Sequence, residues 1–556
     1  MLTGALLFTT CSDNRSADLV LTNGKIYTVD PRNSVIEAVA VSEGRILAVG
    51  SSDQIKKYIG GKTKVVNLDG RLMTPGFIEG HGHFMGMGYS LMTLDLQGTT
   101  SYEEVIERVK NAVKNTVPGK WILGRGWHQS KWDSISGEVV GGFPTHHLLS
   151  AVTPDNPVVL RHASGHAMLV NAYAMNIAGI NTMTEDVEGG EVIKDPKGNP
   201  TGLFNETAMG LINRYIPANT KESDRKAFDL ASKNCLQNGI TSFQDMGEDE
   251  NTIQLFKDIL KESGFSVRLY VMLSGDNQAL LDKYFKNGLE IGLGGDFLTI
   301  RSVKLFMDGA LGSRGAWLLE PYTDMPGHYG HAVSELPYLR EVCEKAIKNG
   351  FQVCTHAIGD RANKEVLNIY ENVLTRNANV KDPRFRIEHA QHLEGSDIPR
   401  FAQLGVIPSM QAIHLSSDRP WAIERLGRER IVEGAYVWQK LLKSGARIVN
   451  GTDVPVEPIS PIQCFYASVS RKTLEGTPPE GYETDQRMSR EQALRSYTID
   501  AAYGAFEENI KGSIEVGKLA DFTVLSKDIM SVPEQEILTT KVDMTIINGK
   551  ILFNRK

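Results

Sequence analysis

The stretch PGFIEGHGHF, Pro75–Phe84, decides how the rest of the chain is read. It opens on Pro-Gly, continues as a short apolar run and ends with His81 and His83 one residue apart. On an extended chain, residues i and i+2 point to one face. Both imidazoles can therefore reach a single point, as two ligands of one metal ion would. Taken alone, the pair also reads as two polar residues at the start of a loop. The choice depends on what else in the chain has the same shape.

Seven more short β-rich runs follow PGFIEGHGH before residue 455: GITSFQD, VRLYVML, IRSVKLFMDG, FQVCTHAIG, FRIEHAQ, GVIPSMQA and ARIVNGTD. Amphipathic helical patterns such as LPYLREVCEKAIKNG and NKEVLNIYENVLTRN lie between most of them. Eight strands alternating with helices predict an α/β fold, a (β/α)8 barrel of the TIM type. The stretch between the first and second runs is far too long for a loop. It predicts a subdomain inserted over residues 90–238, carrying GRGWHQSKW, VVLRHASGHAMLVN and GGEVIKDPKGNPTG.

The two ends of the chain resemble each other. ADLVLTNGKIYTVD and VDMTIINGKILFN each place Asn-Gly-Lys-Ile after a β-rich run. Asn-Gly between alternating apolar residues is a strong hairpin signal. The first copy is followed by AVAVSEGRILAVG and the second is preceded by GSIEVGKLADFTVLSKD. We read these as one small β-sandwich domain built from residues 17–74 and 505–556, with the barrel over 75–504.

The 556 residues are 41% hydrophobic and 23% charged with a net charge of −7, an ordinary soluble composition. The length predicts more than one domain. No basic run is present, so nucleic acid is not an expected partner. The five cysteines are scattered without a C-x-x-C, which argues against a disulfide framework or a zinc–thiolate site. No apolar stretch is long enough for a membrane-spanning helix. The segment LTGALLFTTC, Leu2–Cys11, is apolar and turns polar after the cysteine. It resembles the tail of a bacterial lipoprotein signal and predicts a signal over residues 1–16, a lipid anchor at Cys11 and export to the periplasm. No basic region precedes it and Thr10 stands where Gly or Ala is usual, so a frayed terminus on a cytoplasmic protein is the alternative.

The chemistry-bearing residues fall at matching places. His81 and His83 close the first run, Lys304 lies in the fourth, His356 closes the fifth, His389 the sixth and Asp453 the eighth. In a barrel of this kind the C-terminal strand ends form the active face. Each residue has an ordinary reading alone: a hydrogen-bonded core histidine, a lysine whose stem runs past apolar neighbours, a turn aspartate. Six of them at corresponding strand ends predict a metal site.

At these residues the chain resembles the amidohydrolase superfamily, within it the amidohydrolase 3 (YtcJ-like) metal-dependent hydrolases. The motifs are PGFIEGHGH, GRGW, GHAMLVN, GNPTG, VKLFMDGALGSRGA, HAIGDRA, RIEHAQ, GTDVPVEP, RSYTIDAAYGAF and GSIEVGKLADFTVL. The resemblance implies two divalent metal ions. His81, His83 and Asp453 would hold the more buried one and His356 and His389 the other. Lys304, N-carboxylated to a carbamate, would bridge them. Imidazole with carboxylate suits zinc, with iron, manganese or cobalt as alternatives. The implied reaction is hydrolysis of a non-peptide, amide-type C–N bond in a small molecule by a metal-bound hydroxide, with Asp453 carrying the proton. His166, Arg314, His414 and Trp127 are candidate substrate contacts, and relatives of this kind suggest a homodimer. Three positions depart from the family pattern: Glu79, His128 and Ser164 stand where aspartate is common.

Two other readings use the same barrel. A mononuclear deaminase of a nitrogen heterocycle would carry a glutamate three residues after the fifth-strand histidine, and would not need the lysine; that position is Gly359. A non-catalytic metal-binding barrel would be marked by lost ligands, and none is lost.

Overall fold

The structure is a computed structural model that describes residues 16–555. The expected lipid-anchor residue Cys11 lies outside the described residues. Among the described residues no helix is long and apolar enough to cross a membrane.

Eight parallel strands form the central sheet: β1 (Phe77–Gly82), β2 (Ile240–Glu248), β3 (Arg268–Ser274), β4 (Leu298–Phe306), β5 (Gln352–Ala357), β6 (Arg386–His389), β7 (Ile407–Met410) and β8 (Val449–Asn450). They neighbour one another in sequence order. Each falls within or across one of the eight apolar runs. Helices such as Leu336–Lys348 and Asp360–Arg376 turn an apolar face onto the sheet, burying Leu339, Val342 and Ala346 in the first and Val366, Leu367 and Tyr370 in the second. β8 is short, so ladder pairing alone does not close the sheet. Closure comes just beyond it: the Asp453 amide donates to the His81 carbonyl and the His83 amide to the Val454 carbonyl, each at 2.8 Å. Glycine makes this approach feasible. A Cβ on Gly451 would meet the His81 nitrogen and a Glu79 carboxylate oxygen at 2.5 Å, and one on Gly80 would meet the Asn450 carbonyl oxygen at 2.4 Å.

The segment between β1 and β2 carries its own sheet, in the order Val192–Lys194, Pro200–Asn205, Ala167–Val170, Val158–His162, Ile122–Trp127, Leu94–Asp95. Its last helix, Lys221–Gln237, buries Ala227, Phe228 and Cys235 in the core cluster of the barrel.

Strands from both chain ends share a further pair of sheets. The four-stranded one holds Leu19–Thr22, Ala38–Ser42, Arg45–Gly50 and Lys64–Asn67. The six-stranded one joins Val35–Ile36, Lys25–Tyr27 and Leu72–Pro75 to Phe522–Leu525, Val542–Ile547 and Lys550–Asn554, the two groups meeting where Leu72–Pro75 pairs with Phe522–Leu525. Leu21, Val39, Ile46, Met73, Phe522 and Ile546 belong to one core between them. The two Asn-Gly signals have different outcomes. Asn548 and Gly549, with φ of 53° and 71°, turn a true hairpin. At Asn23–Gly24 only Asn23 has positive φ, and the flanking strands pass into different sheets. A two-residue type I′ turn needs both, so the first signal marks a corner.

Arg268 of β3 ties this region to the barrel. Its Nε and a terminal nitrogen donate to the two Asp521 oxygens at 2.7 and 3.0 Å, and both side chains are buried. Replacing Asp521 with Ala leaves a buried guanidinium unpaired and is expected to cost about 3–5 kcal/mol. Urea unfolding checks this; a loss below about 1 kcal/mol is the range of an exposed pair and would show that the ion pair does not brace the junction.

Candidate metal centre

A cavity of about 110 Å³ sits at the C-terminal ends of the barrel strands. His81, His83, Lys304, His356, His389 and Asp453 all line it. β1 presents His81, with His83 on the first residue after it. β4 turns Lys304 inward, 1% exposed, between Ser274 of β3 and Cys354 of β5. β5 presents His356 at its penultimate residue and β6 ends on His389, and the two rings lie 4.4 Å apart between centroids. The seam after β8 delivers Asp453, whose Oδ1 is 3.5 Å from His81 Nε2 and 3.3 Å from His83 Nε2.

The free atoms of this group have the pattern a metal requires. His81 Nε2, His356 Nε2 and Asp453 Oδ1 are buried and have no hydrogen-bond partner. Ligand atoms of His81, His389 and Asp453 lie within 4.8 Å of one another. A buried polar atom without a partner costs about 1–3 kcal/mol, and several converging ones are accounted for if a cation satisfies them. The residues present therefore fit divalent metal.

The surroundings set each ring. His81 Nδ1 lies 2.6 Å from Glu388 Oε2. Burial alone would raise the Glu388 carboxyl, but the adjacent Arg386 guanidinium and the His81 ring hold it well below the ordinary carboxylate range. An ionised Glu388 accepts only, so Nδ1 carries the proton and Nε2 offers its lone pair to the cavity. His389 follows the same logic: its Nδ1 meets Gln411 Oε1 at 2.7 Å, while the Gln411 amide nitrogen donates to the Ser409 carbonyl. Burial pushes His356 and His389 well below the ordinary imidazole range, which favours the neutral form that a metal would need. Burial would raise Asp453 too, but the His81 and His83 rings draw it well below the usual range. Burial lowers the Lys304 ammonium, against the pull of Glu388 and Asp453.

The remaining candidates from the sequence divide. His166 and His414 line the cavity. His166 Nδ1 is 2.8 Å from Glu206, and that carboxylate raises the imidazole above its ordinary value despite burial. Trp127 does not line it. A bulge at Gly126, with φ of 110°, shifts the strand so that Trp127 turns into the core of the inserted sheet and donates to the Leu160 carbonyl at 2.8 Å. His128, the next residue, lines the cavity instead. Arg314 also lies elsewhere, held by Asp324 at 2.9 Å. Sequence reasoning missed Glu388, Arg386 and Asp308. The first two left a signal, opposite charges two apart in the strand run FRIEHAQ, which puts both on one face. Asp308 accepts the amides of Trp317, Ile358 and Gly359, and lies 3.6 Å from His356 Nε2.

These contacts generate two expectations. Glu388→Gln removes the charge that fixes the His81 tautomer and is expected to weaken metal binding about 10–100-fold. Titration against a metal buffer measures it, with circular dichroism to show the fold is kept; unchanged affinity would remove the orienting role. Glu79 is fully buried at the seam, accepting from the Thr452 hydroxyl at 3.1 Å, and burial pushes its carboxyl up to about 8. The folded chain therefore holds a proton that an unfolded glutamate releases near about 4.3. Stability from this group is full below that value and is lost as pH rises towards 8. Between pH 5 and 8, chelator-treated wild type should lose more than about 1 kcal/mol relative to Glu79→Gln; a difference that stays constant with pH would refute the shift.

Comparison with known proteins agrees with this geometry. The Amidohydrolase family profile matches residues 64–553. The chain is 35% identical to Protein LONG AFTER FAR-RED 3 of Arabidopsis thaliana, over 97% of this chain and 92% of that one. It is 31% identical to the putative amidohydrolase YtcJ of Bacillus subtilis, over 96% and 98%. N-substituted formamide deformylase of Arthrobacter pascens is 27% identical over 97% and 98%. Among solved structures, a metal-dependent hydrolase from Pyrococcus horikoshii superposes with a TM-score of 0.74 at 30% identity, covering 93% of this chain and 99% of that one. With these candidate ligands at the rim of its barrel and a family match along almost its whole length, the chain belongs to the amidohydrolase family.

Proposed function

We propose that this protein hydrolyses a non-peptide, amide-type C–N bond in a small molecule, using two divalent metal ions held by His81, His83, Lys304, His356, His389 and Asp453. The observation that carries the reading is the set of unpartnered ligand atoms gathered with Lys304 in one cavity. His81, His83 and Asp453 would hold one ion and His356 and His389 the other. Zinc is the first choice from imidazole and carboxylate donors. Such ions activate water at neutral pH and polarise a carbonyl.

Lys304, as a carbamate, would supply an anionic ligand shared by the two ions. Burial lowers its ammonium below the ordinary lysine value, which favours loss of the proton that carbamate formation requires. The amine nitrogen bonds to the carbon of carbon dioxide and releases a proton, turning a cation that would repel the metals into an anionic oxygen ligand. Asp453, ionised and unpartnered at Oδ1, is the proton carrier: it accepts a proton from the attacking water and passes it to the leaving nitrogen. His166, raised by Glu206, and His414, whose Nε2 is unpartnered, are polar contacts for the substrate. Residues 90–238 act as the cap, since His128, Ser164 and His166 all reach the cavity from that segment.

The name of the formamide deformylase relative supports C–N hydrolysis as the reaction class. The departures at Glu79, His128 and Ser164 argue against borrowing its substrate. The deaminase alternative finds no support at position 359, where a side chain would meet the Trp317 carbonyl oxygen at 2.1 Å.

The test is metal analysis with a panel of N-formyl, N-acyl and cyclic amides, assayed with zinc and with manganese. We expect two ions per chain and hydrolysis abolished by chelator. Lys304→Ala should retain at most one ion and lose at least about 100-fold in kcat/KM. A variant keeping two ions and full activity would contradict the bridging role. One ion per chain with deamination of aminopyrimidines would put the deaminase in its place.

A further inference from the structure

The metal cavity adjoins a larger one of about 800 Å³, and His83, Ser164 and Val456 line both. One wall of the larger cavity is the inserted sheet. Leu123 and Arg125 come from the strand Ile122–Trp127, and Val159 and Arg161 from Val158–His162. Alternate residues of a strand share a face, so the four side chains point one way. The two strands run parallel with Arg125 directly opposite Arg161. Like charges in that relation weaken a strand pair.

Asp453 offsets the repulsion at Arg125 only through space, without an ion pair. Arg125 donates to the carbonyls of Ala163 at 2.8 Å and Pro455 at 3.4 Å, and Arg161 to the Asn213 side-chain oxygen at 2.7 Å. Among the described residues neither guanidinium has a carboxylate partner. The one acid in the cavity lining, Glu248, is engaged with Asp245 instead. Arg125, lowered by burial to about 10, is still cationic at neutral pH. Two adjacent guanidinium groups facing an open cavity are an arrangement that an anion completes. Arginine's planar fork matches a carboxylate with two parallel hydrogen bonds. The remaining wall is largely apolar, with Met85, Met92 and Ile216. The volume suits a small organic ligand.

We propose that Arg125 and Arg161 bind a carboxylate carried by the substrate, so that the amide delivered to the metal centre is an acidic one with an apolar chain. This rests on the hydrolase reading above for its placement, but it makes a separate claim about binding. It also accounts for the GRGW motif, in which Arg125 binds while Gly126 turns Trp127 away.

The test is equilibrium binding by calorimetry to the metal-loaded protein, using three probes of one chain length: hexanoate, hexanamide and hexyl phosphate. We expect hexanoate to bind at least tenfold tighter than hexanamide, and no weaker than hexyl phosphate. Arg125→Gln and Arg161→Gln should each reduce that preference and the double variant should abolish it, with metal content and melting temperature unchanged. If the glutamine variants do not fold, Arg125→Lys and Arg161→Lys keep the charge without the fork and should lower the preference in part. A preference that survives in the double variant would mean that the metals hold the carboxylate, and would overturn the assignment. So would equal binding of hexanoate and hexanamide, or a tenfold preference for hexyl phosphate. Because no turnover is read, an inactive amide panel with a retained carboxylate preference would fail the hydrolase reading alone, and the converse would fail this one alone.

Discussion

Two backbone hydrogen bonds, from the Asp453 amide to the His81 carbonyl and from the His83 amide to the Val454 carbonyl, join the last strand of the barrel to the first. Each is worth only about 1 kcal/mol net. Their importance lies in what they bring together. In a flat sheet of eight strands, His81 and Asp453 would be at opposite edges, roughly 34 Å apart at the usual strand spacing. Closing the seam brings their side-chain atoms to 3.5 Å. Barrel closure and assembly of the candidate metal centre are therefore the same event. The small residues Gly80 and Gly451 and the buried Glu79 are the local means by which the sequence allows it.

Below the metal centre the barrel interior is strongly polar. Arg386 donates to Glu388 at 2.7 and 3.0 Å, to the Gly80 carbonyl at 2.8 Å and to the Ser409 hydroxyl at 2.8 Å, and it also contacts Gln244. TIM barrels more often fill this space with Val, Ile and Leu. Burying a guanidinium and a carboxylate costs several kcal/mol per ion before their attraction is counted, and only full hydrogen bonding offsets it. Here the arrangement is well satisfied, and its output is a defined proton position on His81. The same expenditure recurs at His389 through Gln411. Stability is given up in the core so that lone pairs face one way.

Much of the architecture could be read from the sequence because strand ends and candidate ligands coincide. An apolar run that stops on histidine or aspartate marks both a strand and the face on which it ends, and this held for β1, β5, β6 and, with the ligand a few residues beyond the strand, β8. The sequence was less informative where a single backbone choice decides a side chain's direction. Trp127 would share the face of Arg125 by simple alternation, and one glycine at 126 sends it to the other. Asn23–Gly24 and Asn548–Gly549 are identical dipeptides, separated in outcome by one φ angle. Arg314 is drawn off by Asp324, ten residues away in a loop, and no periodicity announces such a partner. The opposition of Arg125 and Arg161 needs strand register, which two apolar-polar alternations in separate parts of a chain do not disclose.

The pairing of Phe522–Leu525 with Leu72–Pro75 has a consequence for the order in which the molecule can be made. The strand that leads directly into the first histidines is braced on one side by residues that leave the ribosome more than four hundred positions later. Until then its edge is unpaired, and an open strand edge invites association with other chains. Asp453, too, emerges only near the end. A nascent chain thus lacks the assembled cavity for most of its synthesis, and any ion it takes would enter the finished polypeptide.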